Sequence, residues 1–555
     1  MGNFVNDFRM NHVGFPCHSK KSFVFYGESR EEFTVMKMRN AVLEPVYTAK
    51  FVQTAGALCG DFTCVTEPGV YKIKSGNSYS RTIYIYDHIY DSVCRVLTNY
   101  FVWQRCGDDA GWNGKCHDHD RIIDKYGEEH SLVGGHHQSG DLRKWAFGSA
   151  EGVWGLSKFL ELGNPRWNRG DIQYDIAHSA KYFLSRTSRE GYVYDCTFVP
   201  EGYDQNACKG VGYADYGSFW EPFLYFDRPT DPQGHWNVIR LLASASVTLR
   251  ESDADLAERC LTGAKKIWDW MMREGQFVSN FDWEIYPPIG HDGFKECLFR
   301  FYFPGSAFTL CGCAVSAMEL YQAFPCQEYK DAAISAVNTL ASYMIKDEQG
   351  ALNYFRLSAE DSRPAESVGF FPFNLPMVFV EALDLWSDHP DAAEWLECVK
   401  AAVKKFSWMS RTNAFGKTTN HCTAGETPDK PRWNYGASSF VMDLGDTARF
   451  LTKASRYTDR TECLAIAQRL LDFVMGANPA DSSCIEAVGY NQPCRAIFGE
   501  FFPAQPQIPG GMYTDIQPSE PDFARFGREY DMPVVGAFLY ALALYQKTIA
   551  ESGDC

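Results

Sequence analysis

The 555-residue sequence predicts a mostly helical protein, an α/α barrel preceded by a small β-sandwich. Three observations carry this. The first 86 residues alternate apolar and polar side chains between Gly, Asn, Ser and Pro turns, as half-buried strands do. Beyond Tyr90 the apolar residues recur at helical spacing in about a dozen segments. No fixed period relates those segments, which removes a solenoid and favours a closed barrel over an open bundle.

In chain order, "KSFVFYG", "FTVMKM", "YTAKFVQ", "DFTCV" and "RTIYIYD" read as strands, and short strands this closely spaced pack as a sandwich. The helices follow, among them "WNVIRLLASASVTL", "DLAERCLTGAKKIWDWMM", "YKDAAISAVNTLASYMI", "AAEWLECVKAAVKKF", "LAIAQRLLDFVMG" and "VVGAFLYALALYQKTI". Each has one broad apolar face, so each needs a partner. The stretch "EGYDQNACKGVGYADYGSFWEPFLYFDRPTDPQGHW" reads as a loop too long for a plain connection, so one end of the barrel is expected to carry a loop-lined cleft. The domain division is read as 1–86 for the sandwich and 87–555 for the barrel.

Composition narrows the function. Hydrophobic residues at 45% and charged residues at 22% are those of an ordinary soluble protein. Aromatic residues reach 15%, mostly for the core, with some available as flat platforms for sugar faces. A net charge of −17 without a Lys/Arg stripe argues against nucleic acid as a partner. The start, "MGNFVNDFRMNHVGF", has no basic region followed by an apolar run, and no stretch is read as reaching transmembrane length. The expectation is a soluble, cytoplasmic protein without a membrane partner, or a secreted one if a leader precedes this sequence. Nineteen cysteines scattered through helical segments suit buried thiols better than a disulfide framework. Oligomeric state leaves no signature.

The densest reactive cluster is "QRCGDDAGWNGKCHDHD" followed by "GGHHQSGD". Cys106, Cys116 and His117, completed by His136 or His137, make a Cys₂His₂ set of the kind that structural zinc prefers, although the spacing matches no standard finger. Free thiols and surface histidines are the competing reading. Calcium stays open as a further ion that no sequence feature indicates. Asp141 ends the polar turn, either as an N-cap for the helix that follows or as a catalytic carboxylate. Glu529 precedes the last apolar helix, where an acid also suits the positive helix end. Paired carboxylates are what glycoside cleavage requires. No Walker loop, GxGxxG, HExxH or GxSxG competes.

These motifs resemble glycoside hydrolase family 9 over nearly the whole chain. "MNHVGFP" is similar to that family's "NQVGY-P" opening, and "GDFTCVTEPGVY" to later strands of its immunoglobulin-like domain. "YFVWQRCG", "KCHDHD" and "GGHHQSGD" resemble "YYQRCG…CH…GGWHDAGD". "WNYGASSFV", "LDFVMGANPADSSCIEAVGY" and "GREYDMPVVGAFLYALA" resemble the "WGSN", "LGRNP-G-SYV-GFG" and "NEVA-DYNA" blocks. The resemblance implies a six-hairpin barrel behind an immunoglobulin-like sandwich and an inverting hydrolase of β-linked sugars. By resemblance Asp141 is the general base, Glu529 the general acid, and Gln138 stands where a carboxylate would hold the attacking water. It also implies zinc on Cys106, Cys116, His117 and His137.

Departures bear on the substrate. His136 replaces the family's Trp, and "QPCRAIFGEFF" lacks its "HHR" stretch, leaving Arg495 for the sugar contact. Trp283, Trp433, Tyr435, Tyr490 and Tyr530 are candidate sugar platforms or rim residues, with plain packing as the other reading. Short gluco-configured or amino-sugar oligosaccharides, trimmed from one end, are the expected substrates. Because Gln138 brings no charge, a carbohydrate-binding protein with weakened catalysis is the alternative. Inversion requires the carboxyl groups of Asp141 and Glu529 to lie roughly 6.5–9.5 Å apart.

Overall fold

The computed structural model describes residues 6–28, 30–112, 114–118, 120–139, 144–163, 167–198, 211–213, 223–274, 302–365, 374–418, 440–492, 507–513 and 530–553. Alternation at the N-terminus resolves into nine strands: β1 (Phe8–Arg9), β2 (Ser22–Phe25), β3 (Glu32–Arg39), β4 (Val42–Lys50), β5 (Val52–Thr54), β6 (Ala57–Asp61), β7 (Gly69–Ser75), β8 (Ser78–Tyr79) and β9 (Ile83–Ile85). One antiparallel sheet runs β1-β2-β6-β5; the other runs β4-β3-β7-β8, with β9 also on β7. Phe23, Phe33, Val35, Tyr71, Ile73 and Ile85 close a core of their own between the sheets, which makes the sandwich a separate folding layer. "DFTCV" is not the strand its alternation predicts. The Asp61 side chain accepts from the amide of Thr63 at 2.9 Å, and the chain turns there.

Twelve helices follow among the described residues: α1 (Asp91–Trp103), α2 (Ala146–Glu161), α3 (Arg169–Ser185), α4 (Pro232–Thr248), α5 (Ala254–Arg273), α6 (Ala307–Ala323), α7 (Gln327–Tyr343), α8 (Met377–Trp386), α9 (Ala392–Arg411), α10 (Phe440–Ala454), α11 (Arg460–Val474) and α12 (Met532–Gly553). The even-numbered helices pack in a closed ring, α2-α4-α6-α8-α10-α12 and back to α2, and the odd-numbered ones cover it from outside. Burial follows the position: α2 and α4 are buried on nearly every face, whereas α5 buries one stripe. This is a six-hairpin α/α barrel.

The inner helices run the same way. Phe147 meets Asn237 and Glu151 meets Arg240, so α2 and α4 advance together. Gly152 lies against Met532 and Gly155 against Gly536, so α12 advances with α2. A Cβ on Gly536 would stand 2.3 Å from the Gly152 carbonyl oxygen, so these two helices touch backbone to backbone. Their N-termini therefore share one end of the barrel.

Two expectations are corrected. The stretch from Glu201 read as a long loop contains strands Val211–Tyr213 and Phe223–Pro229, which with Tyr194–Phe198 just before it form a three-stranded sheet in the order first-third-second. The span Met532–Glu551 of α12 has the length and the mean hydropathy, 1.2, of a membrane-crossing helix, contrary to the reading that no stretch does. It is a wall of the barrel, with 83% of that window buried inside the protein, and an inner helix of a ring needs apolar residues on most sides just as a lipid-facing one does.

The sandwich is fastened to the barrel by "MNHVGFP". Asn11 Nδ2 donates to Asp472 at 2.7 Å. His12 donates from Nε2 to Asp481 at 2.9 Å and accepts at Nδ1 from the amide of Tyr490 at 3.1 Å, which sets its tautomer.

Candidate functional site

At the end where the inner helices begin, irregular segments join side by side. Arg105 bridges His136, Ser139 bridges Asp531, Tyr530 bridges Tyr513, and Met512 bridges Ile485, all antiparallel. The amide of Met532 donates to the carbonyl of Gln138 at 2.8 Å, that of Cys106 to Gly135 at 2.9 Å, and that of His137 to Gln104 at 2.8 Å. A continuous backbone ladder thus runs from the Cys106 segment, through the Gln138 and Asp531 segments, to Glu486. Nothing in any one of these stretches carries the periodicity of a strand.

At one end of the ladder Cys106, Cys116, His117 and His137 gather, all buried, with one ligand atom from each within 4.8 Å of all the others. Cys116 Sγ and His137 Nε2 are 3.4 Å apart, close to the edge of about 3.5 Å for sulfur and nitrogen on a tetrahedral zinc. The Nδ1 atoms of His117 and His137 are buried without hydrogen-bond partners. His117 holds a left-handed backbone, φ 57°, which a non-glycine residue adopts only under local constraint. Hydrogen bonds from Cys106 and from both imidazoles hold the Cys116 thiol well below its ordinary value. Two thiols and two imidazoles with ligand atoms gathered this closely fit a structural zinc.

The open choice between the two adjacent histidines resolves by strand geometry. His137 faces Cys116, whereas His136 points to α3, with Nδ1 2.7 Å from Ser179 Oγ and Nε2 3.1 Å from Asp175 Oδ1. Asp175 also pairs with Arg105 at 2.6 Å.

Gln138 sits in the middle of the ladder, 7% exposed, its side chain packed on Gly148 of α2. Its Oε1 has no partner, so an acceptor is free there. Asp141 lies outside the described residues. Helix α2 begins at Ala146 with Trp145 in the N-cap position, which gives no side-chain cap hydrogen bond. Glu529, Arg495, Trp433, Tyr435 and Trp283 also lie outside the described residues. Tyr490 is half-exposed, with the Arg81 guanidinium 4.4 Å over its ring and the His12 ring edge-on at 5.3 Å. This stands it at the junction of sandwich and barrel.

Sequence reasoning missed two supports. Glu486 is buried and accepts from Tyr513 Oη at 2.7 Å and from Tyr530 Oη at 3.0 Å, and Tyr530, itself fully buried, has the packing role weighed for it and no open sugar face. Lys144 is buried against Asp120 at 2.5 Å and donates to the carbonyls of Leu132 and Gly134, both at 3.3 Å. Asp120 raises the Lys144 pKa against the effect of burial, and the pair ties the Cys116 loop to the start of α2. A signal existed for Glu486 alone, as the acid of the "SSCIEAVGY" block.

Residues 90–498 match the model of glycosyl hydrolase family 9. A cellodextrinase from Butyrivibrio fibrisolvens is 29% identical over 184 residues, 30% of this chain and 32% of that protein, so the match spans about a third of the relative. Among solved structures, a family 9 protein from Bacteroides ovatus superposes with a TM-score of 0.68 at 16% identity, covering 98% of this chain and 99% of that one. A structure of AaCel9A with cellobiose-like isofagomine superposes at 0.67 and 15% identity, covering 98% of this chain and all of that one (100%). At such identities these likenesses speak to the fold.

Proposed function

Because the chain belongs to glycosyl hydrolase family 9, we propose that it hydrolyses β-glycosidic bonds of short gluco-configured or amino-sugar oligosaccharides with inversion at the anomeric carbon. Asp141 is the general base that takes a proton from water, and Glu529 is the acid that protonates the leaving oxygen. Gln138 accepts a hydrogen bond from that water.

The observation that carries this reading is the pairing of Ser139 with Asp531. Asp141 follows Ser139 by two residues and Glu529 precedes Asp531 by two. The two proposed carboxylates thus stand, in the sequence, two residues either side of one backbone pairing, which supports their acting together. Asp141 works ionised, which solvent or N–H donors favour; Glu529 works protonated, which partial burial favours.

Zinc on Cys106, Cys116, His117 and His137 would lock the loop as a four-ligand structural ion, without an open position for catalysis. The chain's own ladder then presents Gln138 one residue from that lock. Likeness to the cellodextrinase makes short β-linked glucose oligomers the first substrates to test. Arg495, Trp433, Tyr435, Trp283 and Tyr490 are the proposed sugar contacts.

The test is a time course of released sugar from β-glucosides and β-glucosaminides, with Asp141→Ala as control. Release that the substitution abolishes supports the reading. The second reading, a carbohydrate-binding protein with weakened catalysis, is favoured by the uncharged Gln138, and binding without release from any substrate would establish it in place of the first.

A further inference from the structure

Between the sandwich and the barrel lies a half-open cavity of about 240 Å³ with walls from both domains. Phe23, Val52 and Asp61 line it on the sandwich side, and Phe415, Arg469 and Asp472 on the barrel side. Its charges do not balance. Arg9, at the end of β1, lines the same cavity and is 8% exposed, yet its Nε and Nη1 have no hydrogen-bond partner. The guanidinium lies 4.8 Å over the Tyr26 ring, a contact that engages its face and leaves its in-plane N–H groups unsatisfied. Arg469, on α11, donates only to carbonyls, those of Ala414 at 3.0 Å and Ser410 at 3.4 Å.

The acids in the wall do not offset these cations. Asp61 is taken by Lys20. Asp472 receives Asn11 and Gln468 on Oδ1, and burial pushes its carboxyl up to about 7. Burial also lowers both arginines from their ordinary value, outweighing the pull of Asp481 and Asp7 on Arg9 and of Asp472 and Asp61 on Arg469. A buried guanidinium with free N–H groups is costly unless something else meets it.

We infer that this interdomain cavity binds a small organic monocarboxylate, held by Arg9 and Arg469. The planar guanidinium fork matches a carboxylate. Phe23, Val52 and Phe415 suit a short aliphatic or aromatic body rather than a bare inorganic ion. Asp61 and Asp472 in the wall disfavour a dianion such as phosphate. An occupant would join β1 to α11 and so stabilise the docked arrangement of the two domains.

The test is calorimetric titration and thermal unfolding of the full chain with benzoate, hexanoate, benzamide and inorganic phosphate. The expected result is saturable binding of an acid with a rise in Tm, no effect of the isosteric benzamide, and a loss of affinity of roughly tenfold or more in Arg9→Gln. A second readout needs no variant. Cys59 lines the cavity and Cys64 is exposed outside its wall, so the acid should slow thiol labelling of Cys59 and not of Cys64. Absence of saturable binding by either acid, equal binding of phosphate, undiminished affinity in a folded Arg9→Gln, or unprotected Cys59 would each overturn the inference. If Arg9→Gln does not fold, the labelling decides.

Discussion

Met532 donates its amide to the carbonyl of Gln138 across 2.8 Å, joining the first residue of the last helix to the turn that precedes α2. Inner helices α2 and α12 are neighbours in the barrel, but nearly four hundred residues separate them in the chain. The bond joins their leading segments where Ser139 pairs antiparallel with Asp531.

Removing either carboxylate should abolish turnover while leaving the fold intact. Asp141→Ala and Glu529→Gln are each expected to lower kcat by about 10²–10⁴-fold, with a thermal unfolding profile close to that of the parent. Steady-state kinetics and calorimetry on the same preparations check this. A variant near parental rate would remove that residue from the mechanism.

Gln138→Asp should increase the rate. An amide can accept a hydrogen bond from water, but it adds no charge to make that water more nucleophilic. Restoring a carboxylate on the same backbone is expected to raise kcat by about tenfold or more. Unchanged kcat would mean that Gln138 does not contact the water.

Metal content should equal one zinc per chain by elemental analysis, released by chelator with a fall in Tm. Cys116→Ser should lose the metal and loosen the loop carrying Gln138, reducing activity without altering the residues that react. Full metal content in that variant would contradict the ligand set.

Acid should weaken the fold through its buried neutral imidazoles. His235 accepts at Nε2 from the amide of Val193 at 3.1 Å, and burial lowers its pKa to about 4. The unfolded imidazole takes its proton near 6.5, so the folded pKa is the depressed one. Its contribution is fully present above about pH 6.5 and is lost as pH falls to 4, roughly 3 kcal/mol over that window. His12, also lowered by burial, acts in the same direction at the domain junction. Asp472 and Asp446, raised by burial to about 7 and about 6, act in the opposite direction. The comparison of parent with His235→Gln therefore isolates the effect: the variant should lose less stability between pH 7 and pH 4.5.

Close packing at the catalytic end predicts that Gly536→Ala costs roughly 1–3 kcal/mol, since its Cβ has only backbone to push against. Denaturant unfolding measures it.

Helices were legible in the sequence because each carries its own period, and the barrel was legible because that many one-sided helices need a closed ring. The strand misreading at "DFTCV" came from an alternation that an Asp61 side-chain turn overrides. α12 shows the same ambiguity in another form, since hydropathy cannot tell a barrel wall from a lipid-facing helix. The ligand set that the resemblance implies also has a local reason: neighbours on extended backbone face opposite ways, so only one of His136 and His137 can join Cys116. The ladder itself was not legible. Its pairs, such as Ser139 with Asp531 and Ile485 with Met512, are non-local and lie in segments without period. Glu486 stands in the "SSCIEAVGY" block, but its role comes from tyrosines that only folding brings to it.

Proton NMR of the sugar first released from a β-linked oligosaccharide tests the central claim most directly. The α-anomer should appear first and mutarotate afterwards, as a water activated by Asp141 opposite a Glu529-protonated leaving group requires. Initial β-anomer would mean retention, and the assignment of Asp141 as base and Glu529 as acid would be wrong.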